Sequence, residues 1–298
     1  MLKTIMLLDI FIVIIALIWL VFASISDIKK REVPDWLNFS LIAIGIFVYL
    51  IQSLLQRTFY PLIYSFLSLF LFFIIGNLMY YTKQWGGGDA KLLIGLGALF
   101  PIYPNTLFNF LNPIINTPFP IILFLNILFI GAIYGIVYSI YLSTKHKKEF
   151  FKELSKILKE RRFILLRKVS LFLIVVLIFL LIIIDNNLIK LLLGALILLI
   201  LLLIYLIIFI RAVENVCMIK KIPISKLTPG DWVMEDIRIK NKLIYSSKSY
   251  GIQNYQISQL KKQKIIKFVV IKEGMPFVPS FLIAFILSII FGNFLVPL

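Results

Sequence analysis

Cysteine and histidine are almost missing. The 298-residue chain has one of each, Cys217 and His146. A lone cysteine excludes an internal disulfide and a Cys-x-x-Cys metal pair. So few soft ligands cannot build a zinc-type cluster, and neither a metal nor another cofactor is expected. Acidic residues are scarce too, with 14 Asp and Glu against 31 Lys and Arg, for a formal charge of +17.

What the chain has in excess is apolar surface. Hydrophobic residues make up 61% of it, against roughly 45–50% in soluble domains. The excess falls in blocks of about twenty residues, the length that crosses a bilayer. These lie at 5–25, 37–55, 60–81, 89–104, 119–142, 169–184, 187–210 and 276–296. The fourth and sixth are short for a span. The fold expected is an all-α polytopic membrane protein of about eight helices in the lipid bilayer.

Basic residues sit between the apolar blocks and rarely within them. That is positive-inside patterning and argues against a nucleic-acid partner. With the N-terminus outside, the cytoplasmic loops hold Lys29, Lys30, Arg31, Lys83, ten basic residues between 145 and 168 and thirteen between 211 and 272. Only Lys3, Arg57 and Lys190 fall on the outer side. Lys3 before an apolar run, with small Ala23 and Ser24 after it, resembles a secretory signal. The run from Ile5 to Phe22 exceeds a usual signal core, so it is read as the first span of a plasma-membrane protein.

Five parts are expected. They are a membrane domain (1–142), a basic amphipathic cytoplasmic segment (143–168), an additional transmembrane hairpin (169–210), a small cytoplasmic domain (211–275) and a C-terminal helix (276–298). The amphipathic segment is expected at the membrane surface. In the small domain, "KLTPGDWVMEDIRI" has a turn signal followed by alternation, and "KIIKFVVIK" is rich in strand formers. An α/β or β domain fits both.

A carboxylate at the edge of a membrane span is a functional candidate. Five stand there: Asp9, Asp27, Asp35, Asp89 and Asp185. Asp9 and Asp185 fall at outer helix ends and read as solvated. Asp27, in "ASISDIKKREVPDWLN", ends the first span; Asp89, in "QWGGGDAKLLIGLGALFP", begins the fourth. Topology puts both at the cytoplasmic face. Taken singly, Asp27 is a polar stop and Asp89 a helix cap. Taken together, two carboxyls sharing a site do not both ionise cheaply, so one stays protonated. The ionised one can take a proton from water while the other polarises a carbonyl. Gly86, Gly87 and Gly88 would then leave room for a peptide backbone; their plain alternative is a flexible turn.

These motifs resemble the GxGD aspartyl proteases of membranes, and specifically the type IV prepilin and archaeal preflagellin peptidases. Gly86-Gly87-Gly88-Asp89-Ala90-Lys91 is similar to the family's Gly-Gly-x-Asp-x-Lys helix start. "DIKKREVPDWLN" is similar to its other aspartate followed by basic residues and a Val-Pro-Asx-Trp element, with Asp27 at the aspartate. Asp35 then caps the second helix. Pro276, Phe277 and Pro279 resemble the Pro-Phe-x-Pro opening of the last helix. The resemblance implies catalysis by Asp27 and Asp89 and substrate contact by Gly86, Gly87, Gly88, Pro276, Phe277 and Pro279. It implies substrates that are precursors with short basic type IV pilin-like or archaellin leaders. Such a leader would meet local acids such as Glu32 and Asp35, or Glu235 and Asp236; as loop residues, these also read as plainly solvated.

The chain departs from the family in two ways. The cysteine-rich insert of bacterial members, with its N-methyltransferase activity, is missing. The hairpin at 169–210 brings the expected six spans to eight. Two other classes fit parts of the pattern. A proton- or cation-coupled transporter would use the same aspartates, though nearer the membrane midplane. A non-catalytic scaffold would use "GAIYG" (131–135) for helix packing, and has no need of both aspartates.

Overall fold

The computed structural model describes residues 2–239, 242–247, 249, 251–263 and 267–295. Lys264, Ile265 and Ile266 of the expected "KIIKFVVIK" strand lie outside the described residues, as does Val296 of the last apolar segment. The helices are α1 (Leu2–Lys30), α2 (Asp35–Gln56), α3 (Tyr60–Tyr81), α4 (Gly87–Leu99), the one-turn α5 (Phe108–Leu111), α6 (Phe119–Lys145), α7 (Lys147–Lys159), α8 (Arg161–Ile183), α9 (Asn187–Val213), α10 (Asn254–Gln263) and α11 (Val278–Phe291). The strands are β1 (Ile219–Pro223), β2 (Trp232–Val233), β3 (Ile237–Ile239), β4 (Lys242–Tyr245) and β5 (Phe268–Lys272).

Among the described residues, six helices are long and apolar enough to cross a membrane: α1, α2, α3, α6, α8 and α9. The other two expected segments are α4 and α11, with 13 and 14 residues. At 1.5 Å per residue these reach only about 20 Å. Eight apolar segments therefore become six long helices and two short ones.

The contacts divide the chain into two units. The first comprises Met1–Ile136, Lys248–Ile252 and Gly274–Leu298. One face of α1 is buried along its length: Asp9, Ile12, Ala16, Leu20, Ala23 and Asp27. Their three- and four-residue spacing is that of a single helical stripe. Asp27 is the last member of the stripe, so its carboxyl points into the bundle. Arg31, with φ +59°, ends α1 one turn later, its N–H bonded to the Asp27 carbonyl at 2.9 Å.

α4 lies against α2 and α3 and is buried on most sides. A Cβ on Gly45 of α2 would lie 2.7 Å from the Ala98 backbone, and one on Gly97 of α4 would lie 2.9 Å from the Ser68 carbonyl. The helices approach that closely because both residues lack side chains. A helix ending inside protein leaves orphan carbonyls. Ser65 Oγ donates to the Ala98 carbonyl at 2.8 Å, and the Tyr49 hydroxyl donates to that of Leu99 at 3.2 Å. α11 is tied to α6 by Asn126, whose Nδ2 donates to Ser288 Oγ and to the Gly292 carbonyl.

The second unit comprises Val137–Ser247 and Gln253–Glu273. α7 turns Phe150 and Ile157 onto Ile204, Ile208, Ala212 and Val213 of α9. The apolar face of the basic segment is thus covered by the chain's own helix, where the sequence suggested a membrane surface. Periodicity fixes which face is apolar but not what covers it. α8 begins at Arg161, well before the expected 169. β1, β5 and β2 form an antiparallel sheet in that order, and β3 and β4 a separate hairpin. In β3, Ile237 and Ile239 are buried and Arg238 is exposed, as the alternation predicts.

Candidate active site

The first unit brings together the three motifs at 27, 86–89 and 276–279. Asp27 is buried, and its Oδ2 accepts from the Val278 N–H at 2.9 Å. Val278 is the first residue of α11. Helix starts leave N–H groups free and carry partial positive charge, so this is a natural carboxylate seat. Pro279 follows and has no N–H to offer.

Asp89 is the third residue of α4. Its Oδ2 accepts from the Gly86 N–H at 3.1 Å, with Gly86 in the capping position. Asp89 is therefore not the N-cap that its place in the sequence suggested: from the third helical position it reaches back to the capping residue. Each aspartate accepts from backbone N–H at a different helix start. Val33, in the loop that follows Asp27, packs on Gly88, the residue before Asp89, so the two motifs meet.

The three glycines are not equivalent. A Cβ on Gly88 would come within 3.1 Å of Val33 Cβ, so this glycine admits the loop after α1. A Cβ on Gly86 would meet Asp89 Oδ2 at 3.3 Å, while one on Gly87 would meet only Tyr80, at 3.7 Å. Gly87 is the least crowded of the three. Asp35 is the first residue of α2 and makes no cap. Its Oδ1 accepts from Lys91 Nζ at 2.6 Å, joining the two family-like motifs. Phe277 packs in the core beside Trp85, next to Pro276 and ahead of Pro279.

Residues 14–139 match the type IV leader peptidase family, across a stretch that holds both aspartates and the glycine run. The chain is 36% identical over 152 residues to a preflagellin peptidase of Methanococcus voltae, covering 50% of this chain and 60% of that protein. It is 33% identical over 120 residues to a preflagellin peptidase of Methanococcus maripaludis, covering 39% and 52%. The prepilin peptidase EppA of Methanothermobacter thermautotrophicus is 29% identical over 156 residues, covering 50% and 40%. The chain thus spans about half the length of the curated relatives it matches. No solved structure matches it.

The leader-peptidase stretch ends within α6, so α11 lies outside it and reaches the site through the Asp27–Val278 hydrogen bond. Two participants were not legible in the sequence. One is the Val278 N–H, a backbone group that no side-chain motif reports. The other is Trp85, buried immediately before the glycines. A large aromatic beside three glycines was the available signal. Of the suggested leader-binding acids, Glu32 and Glu235 are exposed. Asp236 accepts from the Ser247 N–H and hydroxyl, which hold its carboxyl below the usual carboxylate range.

Proposed function

We propose that this protein is an aspartic endopeptidase that removes short basic leaders from archaellin or type IV pilin-like precursors at the cytoplasmic face of the membrane. The observation that carries this reading is the pairing of Asp27 with Asp89. They come from motifs 62 residues apart in sequence, are held at two helix starts, and are linked through the contacts of Val33 with Gly88 and of Phe277 with Trp85. The names of the relatives support the substrate class.

Hydrolysis follows from sharing one proton between two carboxyls. The ionised carboxyl takes a proton from water as the water oxygen attacks the scissile carbonyl carbon. The protonated carboxyl donates to the carbonyl oxygen as the tetrahedral intermediate forms. The proton taken from water then passes to the leaving nitrogen, the C–N bond breaks, and a hydroxyl of the collapsing gem-diol returns its proton to the other carboxyl as the C=O reforms, which restores the single shared proton. The geometry assigns neither role to one aspartate. Gly87, the least crowded of the three glycines, is the point where the precursor backbone reaches Asp89.

The test is co-expression with a tagged precursor, with leader loss followed by gel shift. Asp27→Asn and Asp89→Asn should each reduce processing by about 10²- to 10⁴-fold, the usual contribution of a general acid–base group. Wild-type processing by both variants would sink the reading.

A further inference from the structure

The two carboxylates are each tied to a backbone N–H, and those N–H groups stand next to a pair of touching rings. Gly86, which donates to Asp89, directly follows Trp85; Val278, which donates to Asp27, directly follows Phe277. The Trp85 and Phe277 ring centroids are 5.7 Å apart, and Trp85 also meets Phe281 at 5.3 Å and Phe124 at 6.4 Å. Trp85 is buried and belongs to the bundle core.

Phe277 has its own seat. A Cβ on Gly131 of α6 would lie 2.4 Å from Phe277 Cζ and 2.8 Å from Cε2. No real side chain fits there without moving the ring. "GAIYG" thus has a defined use: Gly131 receives Phe277, while Gly135 faces Met275 at ordinary contact distance.

We propose that Trp85 and Phe277, seated by Gly131, are positioning residues that set the separation between Asp27 and Asp89. This rests on the aspartic-peptidase reading above. The logic is mechanical. α4 and α11 each offer a helix start to one carboxylate. Between Trp85 and Asp89 the chain carries only Gly86, Gly87 and Gly88, so Trp85 is the side chain that anchors the start of α4. The ring pair is the packed link between the residue before Gly86 and the residue before Val278. Displacing either ring moves a donor, and the carboxylate bonded to it follows. Two carboxyls that must share a proton and address one water tolerate little such movement. The two rings touch neither carboxylate in the contacts described, so their effect runs through the backbone.

The test uses the full-length protein purified in detergent, with initial rates measured over a range of tagged-precursor concentrations. Folding is checked by thermal unfolding before each assay. Trp85→Leu and Gly131→Ala should lower kcat by about 10- to 100-fold, the size expected from misplacing reacting groups by about 1 Å. KM should stay within about twofold, because Trp85 is buried in the core and the Phe277 ring is engaged by Trp85 and Gly131. Trp85→Phe keeps a ring against Phe277 and should recover most of the rate. Gly131→Ala keeps the test open if Trp85→Leu does not fold, since its single added carbon acts on Phe277 from α6.

A folded Gly131→Ala or Trp85→Leu protein with wild-type kcat overturns the proposal. So does a loss confined to KM, which would make the rings part of the precursor's seat, and so does a Trp85→Phe protein no better than Trp85→Leu. Asp27→Asn and Asp89→Asn assayed alongside separate the two levels. If they are inactive while the ring variants are unimpaired, only the clamp fails. If they retain wild-type activity, the peptidase reading fails first.

Discussion

Asp9 and Asp27 lie on the same buried stripe of α1, about five turns or 27 Å apart at 1.5 Å per residue. Only Asp27 belongs to the proposed site. Asp9 is buried where the sequence suggested a solvated helix end, because the chain supplies donors for it. Its Oδ1 accepts from Gln52 Nε2 at 3.3 Å, and its Oδ2 accepts from Thr106 Oγ1 at 2.9 Å and the Thr106 N–H at 3.3 Å. A buried carboxylate persists only with such partners. Hydropathy located Asp9 along its helix, but its partners lie far off in the chain, at 52 and 106, so nothing local announced them. Asp9→Ala should therefore act on stability rather than chemistry. It strands buried donors and should cost about 1–3 kcal/mol, read as a lower Tm in detergent. Asp9→Asn, which keeps an acceptor oxygen, should cost less. At a temperature where the variant is folded, kcat should remain within about twofold of wild type. A dead enzyme with an unchanged Tm would place Asp9 in the mechanism instead.

At the scale of elements, α4 shows both what patterning conveys and where it stops. The apolar run after "GGGD" announced a helix, and its shortness for a span was visible. The run was read as 89–104, but the helix is Gly87–Leu99. It can be short because α2 and α3 cover it and the side chains of Ser65 and Tyr49 satisfy its end. Such neighbours are tertiary, and no window of sequence contains them. The close approach gives a paired prediction. Gly45→Ala puts a methyl 2.7 Å from the Ala98 backbone carbonyl, and that backbone cannot rotate away. α2 and α4 must part, at about 1–3 kcal/mol. Gly194→Ala, in α9, meets nothing within 4 Å and should be neutral or gain up to about 1 kcal/mol from helix propensity. Thermal unfolding of the two variants in one detergent decides this. Equal effects would show that α2–α4 packing does not limit stability.

For the whole molecule, the distribution of charge predicts an orientation in the membrane. It decides which compartment the two aspartates face. α3 offers a clean test, since its 22 residues cover about 33 Å, with exposed Arg57 before it and exposed Lys83 after it. Lys83 lies at the end that carries the glycine run and Asp89. Cys217 is the only cysteine, so Cys217→Ser supplies a thiol-free background. In intact cells, a membrane-impermeant maleimide should label Arg57→Cys. It should label Lys83→Cys only after permeabilisation. The opposite pattern would turn the helix over and expose Asp89 to the outer side. A precursor approaching from the cytoplasm would then have no access to it, and the cytoplasmic cleavage proposed here would have to be abandoned even if both aspartates proved essential. Excess lysine and arginine fix a side, not a chemistry. The labelling result and the Asp→Asn result therefore bear on separate parts of the same reading, and agreement between them is needed to join the pair at 27 and 89 to a cytoplasmic leader.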